Sequence, residues 1–257
     1  MKFGICTSPE QAHAAKQAGW DYIEASVQAL LQGTLPDDQW TGDRAVEAFA
    51  LPVRAGFLLV PAALKITGPN VDPAALRNYI ETITRRAKKV GMEMLVFGSG
   101  GARQVPEGFD RARAEQQITD FARTAAEAAG KAGVTIVTEP LNRGECNIVN
   151  SVAEAMQHVR AVNHPNFQCL LDTYHFWLED EPLENVRAAA KWIKHVHVAD
   201  KEGRVPPGES QASDYRPVFE ILKQAGYDGM ISVEARTFEP TSYFTALEFL
   251  KDQWQQA

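Results

Sequence analysis

Four short apolar runs in the second half of the chain each end in a side chain able to bind a cation. The runs are Val134–Glu139, Phe167–Asp172, Ile193–His197 and Met230–Glu234, closing on Glu139, Asp172, His197 and Glu234. Successive ends lie 33, 25 and 37 residues apart. Each interval fits one strand-plus-helix unit if roughly 250 residues close into eight such units. In a barrel of parallel strands all C-terminal ends open on one mouth, so these four side chains would meet there. Three carboxylates packed together repel, and a divalent cation removes that cost. Oxygen donors with one nitrogen suit Mn²⁺, Co²⁺, Mg²⁺ or Zn²⁺.

Strand and helix signals alternate along all 257 residues. Before the four runs, strands are predicted at Lys2–Cys6, Tyr22–Ser26, Val53–Leu59 and Met92–Phe97, and the seventh strand is expected to end near Val198. Helical material is expected over Pro9–Ala18 and then from the second strand to about Ala50. Asp72 before Pro73 reads as a cap opening a helix to Val90, and Arg113–Ala132 reads as a helix stopped by Gly133. Ser151 and Glu154 form a capping-box pattern. Later helices are expected near Pro182–Ala190, over Asp214–Ala225 before Gly226, and over Thr241–Trp254. Eight strands, each followed by helical material, is the count of a (β/α)8 TIM barrel. An open doubly wound sheet would place its site at one crevice and would not gather the ends of strands five to eight. No linker-like or low-complexity tract divides the chain, so residues 1–257 read as a single barrel domain.

Composition narrows the partners. A hydrophobic content of 45% is ample for a core, and a net charge of −7 argues against a protein that tracks nucleic-acid phosphates. Cys6, Cys146 and Cys169 are too few and too scattered for a disulfide framework. The first residues read as a strand, and no apolar stretch reaches the length of a membrane span. A cytoplasmic protein with no membrane or nucleic-acid partner is the expectation. Helices rich in alanine and aromatic residues leave a homo-oligomer open.

Longer motifs surround the four strand ends. They are Glu139-Pro-Leu-Asn-Arg-Gly-Glu145, Leu171-Asp-Thr-Tyr-His175, His195-Val-His197 followed by Arg204-Val-Pro-Pro-Gly208, and Ser232-Val-Glu234. Together they resemble the xylose isomerase-like sugar (phosphate) isomerase/epimerase superfamily, closest to its D-tagatose/D-psicose 3-epimerase and hydroxypyruvate isomerase branch. The resemblance implies that Glu139, Asp172, His197 and Glu234 bind one divalent metal ion, usually Mn²⁺, Co²⁺ or Mg²⁺. It implies that Glu139 and Glu234 also transfer protons, and that Glu145, His175 and Arg204 hold substrate oxygens. The expected substrate is a small sugar or keto-sugar. The loop after strand four reads Gly98-Ser-Gly-Gly-Ala-Arg103, where those enzymes carry bulky aromatic contacts, so the resemblance does not name the sugar.

The chemistry explains the residue types. A free carboxylate is too weak a base to take a proton from carbon next to a ketone. A cation on the carbonyl oxygen and the neighbouring hydroxyl stabilises the enediolate. Epimerisation needs a base on one face and an acid on the other, whereas isomerisation carries one proton between adjacent carbons on a single face. The same quartet serves both. A lyase or dehydratase acting on a keto-sugar or keto-inositol would form the same enediolate and then expel a β-hydroxyl. An endonuclease IV-like DNA repair enzyme would need further ligands at strands three and four, which run into Gly56–Pro61 and Phe97–Gly101. A sugar sensor with a retired site would not need an intact quartet.

Other residues carry two readings each. Glu145 and Arg204 are substrate contacts or plain loop charges. His175 faces the mouth beside Asp172, while His195 shares the face of His197 two residues deeper and reads as buried support. Glu24 ends strand two and reads first as an ordinary strand-end charge, and second as a group that reaches the mouth or pairs with a cation there. Lys65 and Arg103 follow strands three and four and would either contact a substrate phosphate or carboxylate or pair with nearby acids. The glycines of Gly98–Gly101 form a tight turn or an anion cradle. His13, His158 and His164 fall in or beside predicted helices and read as structural or solvated.

Overall fold

The computed structural model describes residues 1–257. Eight parallel strands close into a barrel in sequence order: β1 (Lys2–Cys6), β2 (Tyr22–Ser26), β3 (Val53–Phe57), β4 (Met94–Phe97), β5 (Thr135–Thr138), β6 (Phe167–Asp172), β7 (Ile193–Val198) and β8 (Met230–Val233). β8 pairs back onto β1, with Gly4 opposite Ser232. Helices fill the returns. The first three are α1 (Ala12–Gln17), α2 (Val27–Leu30) and α3 (Gly42–Ala45), followed by α4 (Pro73–Val90), α5 (Gly100–Arg103) and α6 (Arg111–Ala132). The second half adds α7 (Val152–Val162), α8 (Thr173–Leu178), α9 (Leu183–Ala189), α10 (Arg216–Gln224) and α11 (Tyr243–Gln256). No helix is long and apolar enough to cross a membrane.

Local chemistry sets the longer helices. The Asp72 carboxylate accepts the Ala74 and Ala75 N–H groups at 3.0 Å, and Pro73 opens α4. Leu76, Tyr79, Ile80, Ile83, Ala87 and Val90 then form its buried stripe at three- and four-residue spacing. The buried face of α6 is mostly alanine, which lets it lie close to its neighbours, and Gly133 ends it at φ +73°. Before α7, Ser151 Oγ accepts the Glu154 N–H at 3.1 Å. Glu154 reaches back to the N–H of Asn150 at 2.8 Å, one residue further than a standard capping box.

Several boundaries differ from the sequence expectation for physical reasons. β3 stops at Phe57 because Leu58 takes φ +58° and leaves the ladder. After β2 the chain forms two four-residue helices and a 3₁₀ turn instead of one longer helix. Arg86 on α4 fastens that segment. Its buried guanidinium donates to the Leu31, Gln32 and Leu35 carbonyls and to the Asp37 carboxylate. α8 is unforeseen, and it starts because Asp172 caps it through the His175 N–H at 3.1 Å.

The main apolar core lies between the strands and the helices and includes Ile5, Ile23, Ile136, Phe167, Ile193 and Ile231. Each such side chain contributes about 1.5–3 kcal/mol when fully buried. Two small apolar groups, Tyr22 with Ala55 and Met230, and Val96 with Val137 and Leu170, form separate clusters. A second set of wholly buried strand residues is polar: Glu24, His195, His197 and Ser232.

Candidate active site and metal centre

Strand parity builds the quartet. His195 and His197 alternate inward on β7, and the register sets Asp172 opposite His197 and His197 opposite Ser232. Glu139 is the first residue after β5, its N–H still bonded to the Phe97 carbonyl at 3.2 Å. Glu234 follows β8, with its N–H on the Val198 carbonyl at 3.0 Å. Ligand atoms of Glu139, Asp172, His197 and Glu234 all lie within 4.8 Å of one another. His197 Nδ1 is 3.1 Å from a Glu139 oxygen and 3.5 Å from a Glu234 oxygen. All but Glu234 are buried, and the Glu234 side chain is 22% exposed, so the cluster opens to solvent on that side.

Residues outside the quartet hold it in place. A Cβ at position 98 would sit 1.7 Å from Glu139 Oε2, so glycine there makes room for the carboxylate. Gly98 is therefore part of the site, and the anion-cradle reading of its loop is not needed. Arg103, read as an anion contact or as a partner for nearby acids, is neither and is wholly buried. Its guanidinium donates to the Phe97 carbonyl at 2.9 Å and the Glu139 carbonyl at 2.7 Å, because the short α5 turns the side chain back beneath the strand ends. Lys65 is exposed and donates to the Gly101 carbonyl at 2.9 Å. Glu24 lies beneath His197 and accepts from His195, His197 and Ser232.

The mouth above the quartet carries His175, Glu145 and Arg204. His175 Nδ1 accepts the Asn142 backbone N–H at 3.1 Å and lies 2.8 Å from its side-chain amide nitrogen. That fixes the proton on Nε2, which is buried without a partner. Arg204 forms ion pairs with Glu234 and with Glu145, the latter at 3.2 Å, and its guanidinium stacks 4.8 Å from the Tyr174 ring centre. It adopts φ +52°, an uncommon value for a residue with a side chain. The sequence did not single out Asn142 or Tyr174, although both lie inside the quoted motifs.

The electrostatics are those of a site made for positive charge. Burial and the neighbouring Glu234 push the Glu139 carboxyl above its ordinary range. Burial also acts to raise Glu234, but His197 and Arg204 outweigh it and hold that carboxyl low. Burial opposes a charge on His197, yet Glu24, Cys6 and Glu234 around it raise its proton affinity well above normal. A proton and a metal ion compete for such a group. Three carboxylates, one imidazole and an unpartnered His175 N–H pointing into the site fit a divalent cation with an oxygen-bearing ligand.

Comparison with known proteins agrees with this architecture. An L-ribulose 3-epimerase from Methylomonas sp. (strain DH-1) is 31% identical over 88% of this chain and 77% of its own. A Mus musculus protein named, provisionally, a hydroxypyruvate isomerase is 26% identical over 96% of this chain and 90% of its own. The crystal structure of a D-allulose 3-epimerase from Methylomonas sp. in complex with D-allulose superposes with a TM-score of 0.80 at 24% identity, covering 98% of this chain and 97% of that one. Residues 12–253 match the family described as "Xylose isomerase-like TIM barrel". The chain belongs to that family.

Proposed function

We propose that this protein is a divalent-metal-dependent epimerase or isomerase that moves a proton on a carbon next to a ketone, acting on a ketose or a related hydroxy-ketone. The observation that carries this reading is the quartet, with its ligand atoms gathered within 4.8 Å. Its donor set suits Mn²⁺, Co²⁺ or Mg²⁺, with Zn²⁺ as a further candidate. A divalent ion bound there supplies Lewis-acid polarisation of a carbonyl. The 3-epimerases among its relatives, one of them crystallised with D-allulose, support a sugar as the substrate.

The chain's own residues take the remaining roles. Glu139 and Glu234 come from β5 and β8, well apart around the ring, and both reach the same imidazole edge. A carbon seated between two such carboxylates can lose its proton to one and gain a proton from the other, which inverts the centre. His175 offers its Nε2–H to a substrate oxygen, since Asn142 already occupies Nδ1. Arg204 and Glu145 stand at the rim, where they bind hydroxyls and hold Glu234 in place.

The test is product analysis with added Mn²⁺ across ketoses, keto-acids and keto-inositols. An isomeric product of unchanged mass is the expected result. A product lighter by one water assigns the lyase chemistry instead, and turnover that survives exhaustive chelation overturns the metal reading.

A further inference from the structure

We infer that Glu24 is the positioning residue of the metal centre: it accepts the Nε2–H of His197 and so leaves Nδ1 as the ligand atom. The inference rests on the metal reading above and extends it to a residue outside the quartet. Glu24 sits on β2, three strands from β7 around the barrel, and its side chain is wholly buried. Both of its oxygens are engaged. Oε1 is 3.0 Å from His197 Nε2, while Oε2 is 2.8 Å from His195 Nε2 and accepts from Ser232 Oγ at 2.7 Å. The donors are held in turn. Tyr22 OH lies 2.8 Å from Ser232 Oγ, and His195 Nδ1 lies 3.1 Å from the Met230 carbonyl oxygen.

The hydrogen-bond inventory gives the consequence. A carboxylate can only accept, so the ring nitrogen facing it must carry the proton. A metal-ligating imidazole is neutral with one N–H. Because the carboxylates facing Nδ1 are themselves members of the quartet while Glu24 holds the Nε2 proton, an ion would take the lone pair of Nδ1. That nitrogen is the one beside Glu139 and Glu234. A carboxylate behind a ligating histidine fixes the ring's tautomer and orientation and makes it a better donor to the metal. An isolated buried carboxylate would be costly, and the three donors around Glu24 offset that cost.

The experiment compares Mn²⁺ binding by wild type, Glu24→Gln and Glu24→Leu in equilibrium dialysis. Thermal unfolding of the metal-free proteins serves as the fold control. Loss of the carboxylate is expected to weaken binding about 10- to 100-fold. Glu24→Gln should lose less than Glu24→Leu, because glutamine keeps one acceptor for His197. Wild-type affinity in a folded Glu24→Leu protein overturns the inference. If that variant does not fold, wild type decides by itself. Nitrogen-15 histidine spectra of the Zn²⁺-loaded protein should show the His197 proton on Nε2, and a proton on Nδ1 overturns the inference. A wild-type protein that takes up no divalent ion removes both this inference and the metal reading. Tight binding by wild type and both variants alike removes only the role of Glu24.

Discussion

Gly98 shows how narrowly one position is specified. The Glu139 carboxylate occupies the place of its missing side chain, with Oε2 1.7 Å from where a Cβ would be. Gly98→Ala must displace that carboxylate while leaving the strands intact. The expected outcome is a fall in turnover of about 100-fold, the scale of a misplacement near 1 Å, with an unchanged circular dichroism spectrum. Wild-type kcat/KM in the alanine variant would contradict this. The quartet was legible in the sequence because each member closes an apolar run at a strand end. Glu24 was not, because strand parity shows that a side chain points inward without showing what faces it across the barrel. The one available signal was the pair His195 and His197, inward donors two residues apart that need a buried acceptor. Arg103 misled for a related reason: its position after β4 is at the mouth, but two strand-end carbonyls capture its guanidinium.

Among the elements, the connection from β7 to α10 matters most for the site because it carries Arg204. Asp200 organises it from within. Its buried carboxylate accepts from the Gly208 and Ser210 N–H groups, the Ser210 hydroxyl and the Tyr215 hydroxyl. Asp200→Ala should therefore destabilise the protein by about 3 kcal/mol, a typical loss for a buried carboxylate and its bonds. Hydrogen exchange should quicken over residues 200–215, with KM rising as Arg204 loosens. An unchanged denaturation midpoint would remove Asp200 from this role. Nothing in the local pattern announced this bond set, since the loop's glycines, prolines and serines read as ordinary turn material. The end of β3 was hidden in the same way, because the left-handed turn at Leu58 sits on an apolar residue with no turn signal.

Across the whole molecule, the quartet joins β5, β6, β7 and β8 at one point. An ion bound there favours the closed barrel over the unfolded chain. At a free concentration 100-fold above the dissociation constant it adds about 2.7 kcal/mol. For a chain of this size that is a rise in unfolding temperature of roughly 5–10 °C. Scanning calorimetry with Mn²⁺ and with a chelator checks this, and coincident transitions would contradict it. Barrel closure was readable because eight strand signals alternate with helical stretches over the whole length. The substrate was not, because selectivity in such a barrel resides in the loops at the mouth, whose paths follow from contacts distant in sequence. The most direct test of a cation-assisted carbon acid is exchange in deuterium oxide with Mn²⁺ present. Label should enter a single carbon next to the substrate carbonyl, and Glu234→Gln should abolish that entry without unfolding the protein. Exchange at the wild-type rate in Glu234→Gln, or no label from any ketose that the protein turns over, would contradict the account.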